Sequence, residues 1–119
     1  MHAQKIETKI GQFWIDPRDQ FVAKSLASTG DFSPGERFLY VKFINQDSNV
    51  LWLGAHIGAL LIPFSKHVRR VDTFEANPET FKLLEKNLRL NGCNNITAHN
   101  IAANDINGEL NFICNHTIE

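Results

Sequence analysis

The stretch that most limits what this chain can become is Val50-Leu51-Trp52-Leu53-Gly54-Ala55-His56-Ile57-Gly58, followed by Val71-Asp72-Thr73-Phe74-Glu75-Ala76-Asn77-Pro78. An apolar run that breaks on a glycine turn, then a helical stretch, then a second apolar run ending in a carboxylate is the layout of a nucleotide-cofactor site. The glycine turn lets backbone approach a ligand, and Glu75 at the second strand's tip can accept hydrogen bonds from ribose hydroxyls.

The rest of the chain builds around that unit. Residues 12–15 read as a short strand. Asp16 and Pro17 signal a helix start, with Asp19 in its first turn and Gly30 at its end. Ser33-Pro34-Gly35-Glu36 has the form of a capping box, predicting a second helix that runs to the polar break at residues 45–48. Residues 49–54 form a continuous apolar run, as expected of a strand buried on both faces. Residues 59–68 read as a buried helix, in which Pro63 predicts a kink or a late start. Residues 71–76 form the next strand. Asn77 caps a helix with Pro78 at its first position and Gly92 at its end. On that helix Lys82, Glu85, Lys86 and Arg89 share one arc, and apolar residues fill the remainder. Residues 95–102 read as a third strand and residues 110–114 as a fourth. The alternation argues for an α/β fold with a parallel sheet and right-handed crossovers.

With 119 residues the chain suits a single domain, a leader over residues 1–48 and a βαβαβ unit over residues 49–119. The formal net charge of −1 gives no broad electrostatic reason to expect nucleic acid. Lys66, His67, Arg69 and Arg70 are the nearest approach to a basic patch, and their ordinary reading is a solvated helix end that suits the dipole. Cys93 and Cys114 match no metal or redox spacing, so no metal site is expected and both read as reduced thiols of a cytoplasmic protein. The N-terminus carries no apolar signal region, and no apolar run is long enough to span a bilayer.

Taken together, residues 12–112 resemble the N-terminal half of FkbM-type methyltransferases. The resemblance is carried by Trp14-Ile15-Asp16-Pro17-Arg18-Asp19, by Gly54-Ala55-His56-Ile57-Gly58, by the run from Phe74 through Asn77-Pro78-Glu79-Thr80 to Leu90-Asn91-Gly92, and by Asn100-Ile101-Ala102 before the turn of Asp105 and Gly108. It implies an incomplete Rossmann-like class I methyltransferase fold, comprising the N-terminal βαβαβ half with a leading helical segment. It also implies S-adenosylmethionine as cofactor and an oxygen nucleophile as methyl acceptor. Gly54, Ala55, His56 and Gly58 would line the methionine half. Glu75, with Ala76 and Asn77 beside it, would take the ribose, and Asn100 and Ile101 would meet the adenine.

Two positions depart from that pattern. Trp52 stands where relatives carry an acidic residue that helps hold the cofactor's ammonium group, and reads as a core or wall residue. His56 stands where a small or amide residue is usual, and either hydrogen-bonds a ligand or fills a tight turn. No catalytic base can be named. His67, Asp72 and His99 are unplaced candidates. The family domain continues with further strands, so the expected partners are a second copy or a further polypeptide segment, together with a small-molecule or glycan acceptor, no nucleic acid and no membrane. The alternatives are a non-catalytic Rossmann-like binding or oligomerisation module with a degenerate cofactor site, and a dinucleotide-dependent oxidoreductase. The latter lacks the full Gly-x-Gly-x-x-Gly pattern.

Overall fold

A computed structural model of the protein describes residues 2–102. It opens with a strand that the sequence reading did not anticipate. β1 (Gln4–Thr8) pairs antiparallel with β2 (Gly11–Ile15) in a tight hairpin. α1 (Val22–Thr29) follows, starting later than Asp16-Pro17 signalled. Asp19 is the reason, because its carboxylate accepts the amides of Phe21, Val22 and Ala23 at 2.8–3.2 Å and so fixes the first turn there. Asp16 instead accepts the Arg18 amide and guanidinium. Gly30 ends α1 in the left-handed region, as expected.

α2 (Pro34–Tyr40) runs into a 3₁₀ turn (Val41–Phe43). Pro34 takes the first turn, but the capping box is not formed. Ser33 sits at φ 47°, and its hydroxyl caps no amide. The central sheet consists of β3 (Asn49–Leu53), β4 (Arg70–Phe74) and β5 (Ile96–His99), parallel and in that spatial order. α3 (Leu61–Ser65) joins the first pair and α4 (Pro78–Leu90) the second. α3 is short and begins late, which places Pro63 in its first turn, where a missing amide proton costs nothing. All five α3 residues are buried, as their all-round apolarity predicts. α4 begins where Asn77 Oδ1 accepts the Glu79 and Thr80 amides. The fourth strand expected at residues 110–114, and the turn of Asp105 and Gly108, lie outside the described residues.

The register puts Leu51, Asp72 and Thr97 in one row and Leu53, Phe74 and His99 in the next, all on one face. Successive crossovers between neighbouring parallel strands turn the same way and carry their helices to the same side. Val71 and Thr73, on the opposite face, are fully enclosed, and the Trp52 ring there lies 5.0 Å from the Phe64 ring of α3. Phe13, Leu26, Leu61, Ile62 and Leu84 complete the core, each contributing on the order of 1.5–3 kcal/mol by burial. The expectation that β3 would be buried on both faces is therefore not met among the described residues. Leu51 is 66% and Leu53 58% exposed.

The hairpin is fastened to α4 by two asparagines. Asn87, fully buried, accepts the Trp14 amide at 2.6 Å and donates to the carbonyls of Trp14 and Ile57 at 3.1 and 2.9 Å. Asn91 accepts the Gln12 amide and donates to the Gln12 carbonyl. Four residues along a helix advance about 6 Å and two along a strand about 6.6 Å. Side-chain amides at that helical spacing therefore take the place of a strand on the edge of β2 that β1 leaves open.

Candidate functional site at the strand tips

Three loops meet at the carboxyl ends of the parallel strands. The Gly54 amide donates to the Phe74 carbonyl at 2.9 Å, tying the glycine turn to the tip of β4. Glu75 lies at the centre of the junction. Its Oε1 accepts the His56 amide at 2.8 Å and its Oε2 accepts the Asn77 amide at 3.0 Å, so one carboxylate joins the turn after β3 to the cap of α4. From β5, the Asn100 side chain donates to the carbonyls of Glu75 and Ala76 at 2.9 and 3.1 Å, and the Glu75 amide donates to the His99 carbonyl. Residues far apart in sequence are thereby held at one sheet edge, where ligands of open α/β sheets sit.

The two glycines of the turn have different physical reasons. Both have positive φ, 76° at Gly54 and 95° at Gly58. A Cβ on Gly54 would meet nothing within 4 Å, so its surroundings are open to a ligand. A Cβ on Gly58 would lie 2.8 Å from Ile62 Cδ1 and 3.2 Å from Leu84 Cδ1. Gly58 is thus required by helix packing. His56 also takes a left-handed conformation, φ 54°, which His tolerates better than most side chains. Ala55 is buried in the turn, and Ile101 is 55% exposed at the end of the β5 segment.

Beside Gly54 lies a cavity of about 480 Å³, within the size range of small-molecule sites. Trp52 forms its wall, edge-on to Tyr40 at 5.9 Å and tilted against Phe64, which matches the wall role read from the sequence. Among the described residues Glu36 is the one carboxylate that lines the cavity, and the Tyr40 hydroxyl donates to Glu36 at 3.4 Å. In the sequence Glu36 reads only as a capping partner. Glu36 and Tyr40, one turn apart on α2, share a helix face, and only the packing of α2 turns that face to the cavity.

The unplaced base candidates lie elsewhere. Asp72 and His99 face each other at 3.7 Å on the open sheet face, with His99 stacked on Phe74. Hydrogen bonding from Arg70 holds the Asp72 carboxyl below its ordinary pKa. His67 is exposed in the loop after α3, at the other end of the strands. Cys93 is half-buried, and desolvation raises its thiol pKa. Among the described residues no group of His, Cys, Asp or Glu could hold a metal ion, and no helix is long and apolar enough to cross a membrane.

Comparison with known families settles the lineage. The TRM5/TYW2 methyltransferase domain matches residues 11–118. This chain belongs to the TRM5/TYW2 methyltransferase family. Its fold is a partial Rossmann-like class I methyltransferase fold, and the cofactor of such domains is S-adenosylmethionine, as expected. TYW2 of M. jannaschii, solved with AdoMet, is 28% identical, with a TM-score of 0.61 over 85% of this chain and 43% of that one. TYW2 of P. horikoshii, solved with MeSAdo, is 26% identical, with a TM-score of 0.64 over 90% of this chain and 39% of that one. The chain therefore spans less than half the length of these relatives. No curated protein matches it.

Two expectations change. The matching family is TRM5/TYW2 and not the FkbM type specifically, because the motifs behind that resemblance belong to the cofactor half and say little about the acceptor. The exclusion of nucleic acid, and with it the small-molecule or glycan acceptor, is overturned. The structure of aTrm5 with tRNALeu, 22% identical with a TM-score of 0.56 over 80% of this chain and 26% of that one, shows a protein of this fold holding tRNA. A net charge near zero averages over a whole chain, whereas phosphate contacts need only local cations.

Proposed function

We propose that this chain is the cofactor-binding part of a cytoplasmic methyltransferase acting on tRNA, with S-adenosylmethionine lying across the three strand tips. Gly54, Ala55 and His56 hold the methionine half, and Gly58 opens the supporting helix. Glu75, Ala76 and Asn77 hold the ribose, and Asn100 and Ile101 border the adenine. The observation that carries this reading is the Glu75 carboxylate, fixed by the His56 and Asn77 amides. Each amide occupies part of one oxygen's accepting capacity, and the remaining lone pairs suit a pair of ribose hydroxyls. Bound S-adenosylmethionine supplies a sulfonium methyl group for in-line transfer, and the chain's contribution is to position it.

Calorimetric titration with S-adenosylmethionine and S-adenosylhomocysteine tests the site. Replacing Glu75 by Ala should weaken both by about 1.5–3 kcal/mol, the range for hydrogen bonds to a charged group. An unchanged dissociation constant removes the ribose from this place, and no heat at millimolar ligand would leave a binding module with a degenerate site. An oxygen acceptor, as the FkbM resemblance implies, is tested by digesting methylated tRNA and identifying the nucleoside. Methyl on a base nitrogen would refute it.

A further inference from the structure

The loop between α3 and β4 lies at the amino ends of the strands, opposite the cofactor tips. It carries Lys66, His67, Arg69 and Arg70, all exposed. Arg70 is committed to Asp72 and Thr97. Lys66 and Arg69 instead line a cavity of about 460 Å³, together with Cys93, Asn94 and Asn95. Among the described residues, no acidic side chain lines that cavity. Asp72, the nearest carboxylate along the chain, is engaged by Arg70, and Asp47 lies in the loop whose Ser48 carbonyl accepts the Arg69 amide.

Three features separate this cluster from an ordinary solvated helix end. α3 has five residues, too few for a dipole that would call for several cations. α4, whose carboxyl end also borders the cavity through Asn91, already has Arg89 in its last turn. The loop backbone is pinned from both sides. The Asn95 amide donates to the carbonyls of Ser65 and Val68, Gln46 donates to the Lys66 carbonyl, and Ser48 receives the Arg69 and Arg70 amides. Two cations extend from fixed backbone over a polar hollow that no carboxylate of the described residues lines. The backbone therefore gives up little order when the two side chains take an anion.

We infer that Lys66 and Arg69 form a phosphate-binding cradle for the backbone of the RNA substrate, remote from the reacting nucleotide. The inference rests on the tRNA reading above. The opposite tip is acidic, with Glu75 and Glu79 at the strand-to-helix junction and Glu36 beside Gly54, and it offers little to a polyanion. Affinity for RNA must come largely from phosphate contacts elsewhere. Five strand residues span about 17 Å, a distance that a short A-form RNA stem covers. A structured RNA can therefore reach both ends of the sheet at once.

The test is the salt dependence of binding of an unmodified tRNA transcript to the protein and to its Lys66→Ala/Arg69→Ala variant. Thermal midpoint and adenosylmethionine titration serve as controls for folding and for the distant tip. The variant should bind tRNA more weakly across different tRNA sequences, and its slope of log affinity against log salt should be shallower by about two, one for each lost phosphate contact. Charge reversal with Lys66→Glu/Arg69→Glu should weaken binding further. Wild-type binding with an unchanged slope in both variants overturns the cradle and leaves the tRNA reading intact. Absence of any tRNA binding by the wild type overturns both. Equal variant sensitivity toward anionic phospholipid vesicles, with none toward tRNA, would assign the cations to a membrane surface and overturn the RNA cradle.

Discussion

The two faces of the parallel sheet are built from adjacent residues of the same strands, yet they have opposite environments. On one face Val71 and Thr73 are wholly enclosed, Trp52 packs on Phe64, and the Thr73 hydroxyl satisfies the Trp52 carbonyl at 2.8 Å. On the other, Leu51 and Leu53 are mostly exposed, and the surface grades through Phe74 into the polar group of Arg70, Asp72, Thr97 and His99. Crossover handedness explains the difference. Two right-handed connections stepping in one direction put both helices on one side, and covering the second face takes a connection that steps the other way. Apolar character alone therefore does not show which side of a strand is covered.

The largest expected effect tests the closed side. Replacing Asn87 by Ala would strand the Trp14 amide and the Trp14 and Ile57 carbonyls without their partner, and should cost about 3 kcal/mol in urea denaturation. A loss below about 1 kcal/mol would mean that water replaces the amide and that the hairpin is not fastened there. Next comes Gly58→Ala, which combines a left-handed backbone with a Cβ pressed on Ile62 and Leu84. It should cost about 2 kcal/mol. The corresponding change at Gly54 meets open space, so it carries backbone strain without the clash, and a larger loss there than at Gly58 would reverse the reasoning.

Asp31 and Arg37 form a half-enclosed ion pair at 3.0 Å that ties the end of α1 to α2. The Arg37 hydrogen bond holds the Asp31 carboxyl below its ordinary pKa. A carboxyl depressed on folding contributes stability that is present above its unfolded value, near 3.9, and is lost as pH falls through its lower folded value. Asp31→Asn should therefore cost about 0.5–1 kcal/mol at pH 7, and the two proteins should converge at strongly acidic pH. A difference constant across pH would remove the ion pair as its cause. The smallest effect is expected on the open face, where Leu51→Ser should change stability by no more than about 0.5 kcal/mol. A larger loss would show that this face is covered in solution.

Legibility in the sequence follows the range of the forces involved. The α4 start was readable because Asn77 and Pro78 act on their own next turn. The meeting of Gly54 and Glu75 was readable because a glycine bend and a carboxylate at successive strand ends must converge in any parallel sheet. β1 was missed, since its residues show an exposed pattern and it exists only by pairing with β2. Asp16 reads as the cap of α1, but three amides converging on Asp19 set the helix start further along the chain. Ser33 matched a capping box in letters, but its backbone went to the left-handed region, where the hydroxyl cannot reach the amides. Glu36 entered the cavity lining through the packing of α2, which no short motif records.

What the amino-acid order determined by itself is the βαβαβ succession, the left-handed bend at Gly54, and the arrival of Glu75 at the same edge, because these depend on residue chemistry within a few positions. What only the tertiary structure decided is which sheet face is closed, the use of Asn87 and Asn91 as a substitute strand, and the clustering of Lys66 and Arg69 over one polar hollow. Those outcomes depend on contacts between segments tens of residues apart, where many pairings satisfy the same local rules and only close packing with satisfied hydrogen bonds selects among them.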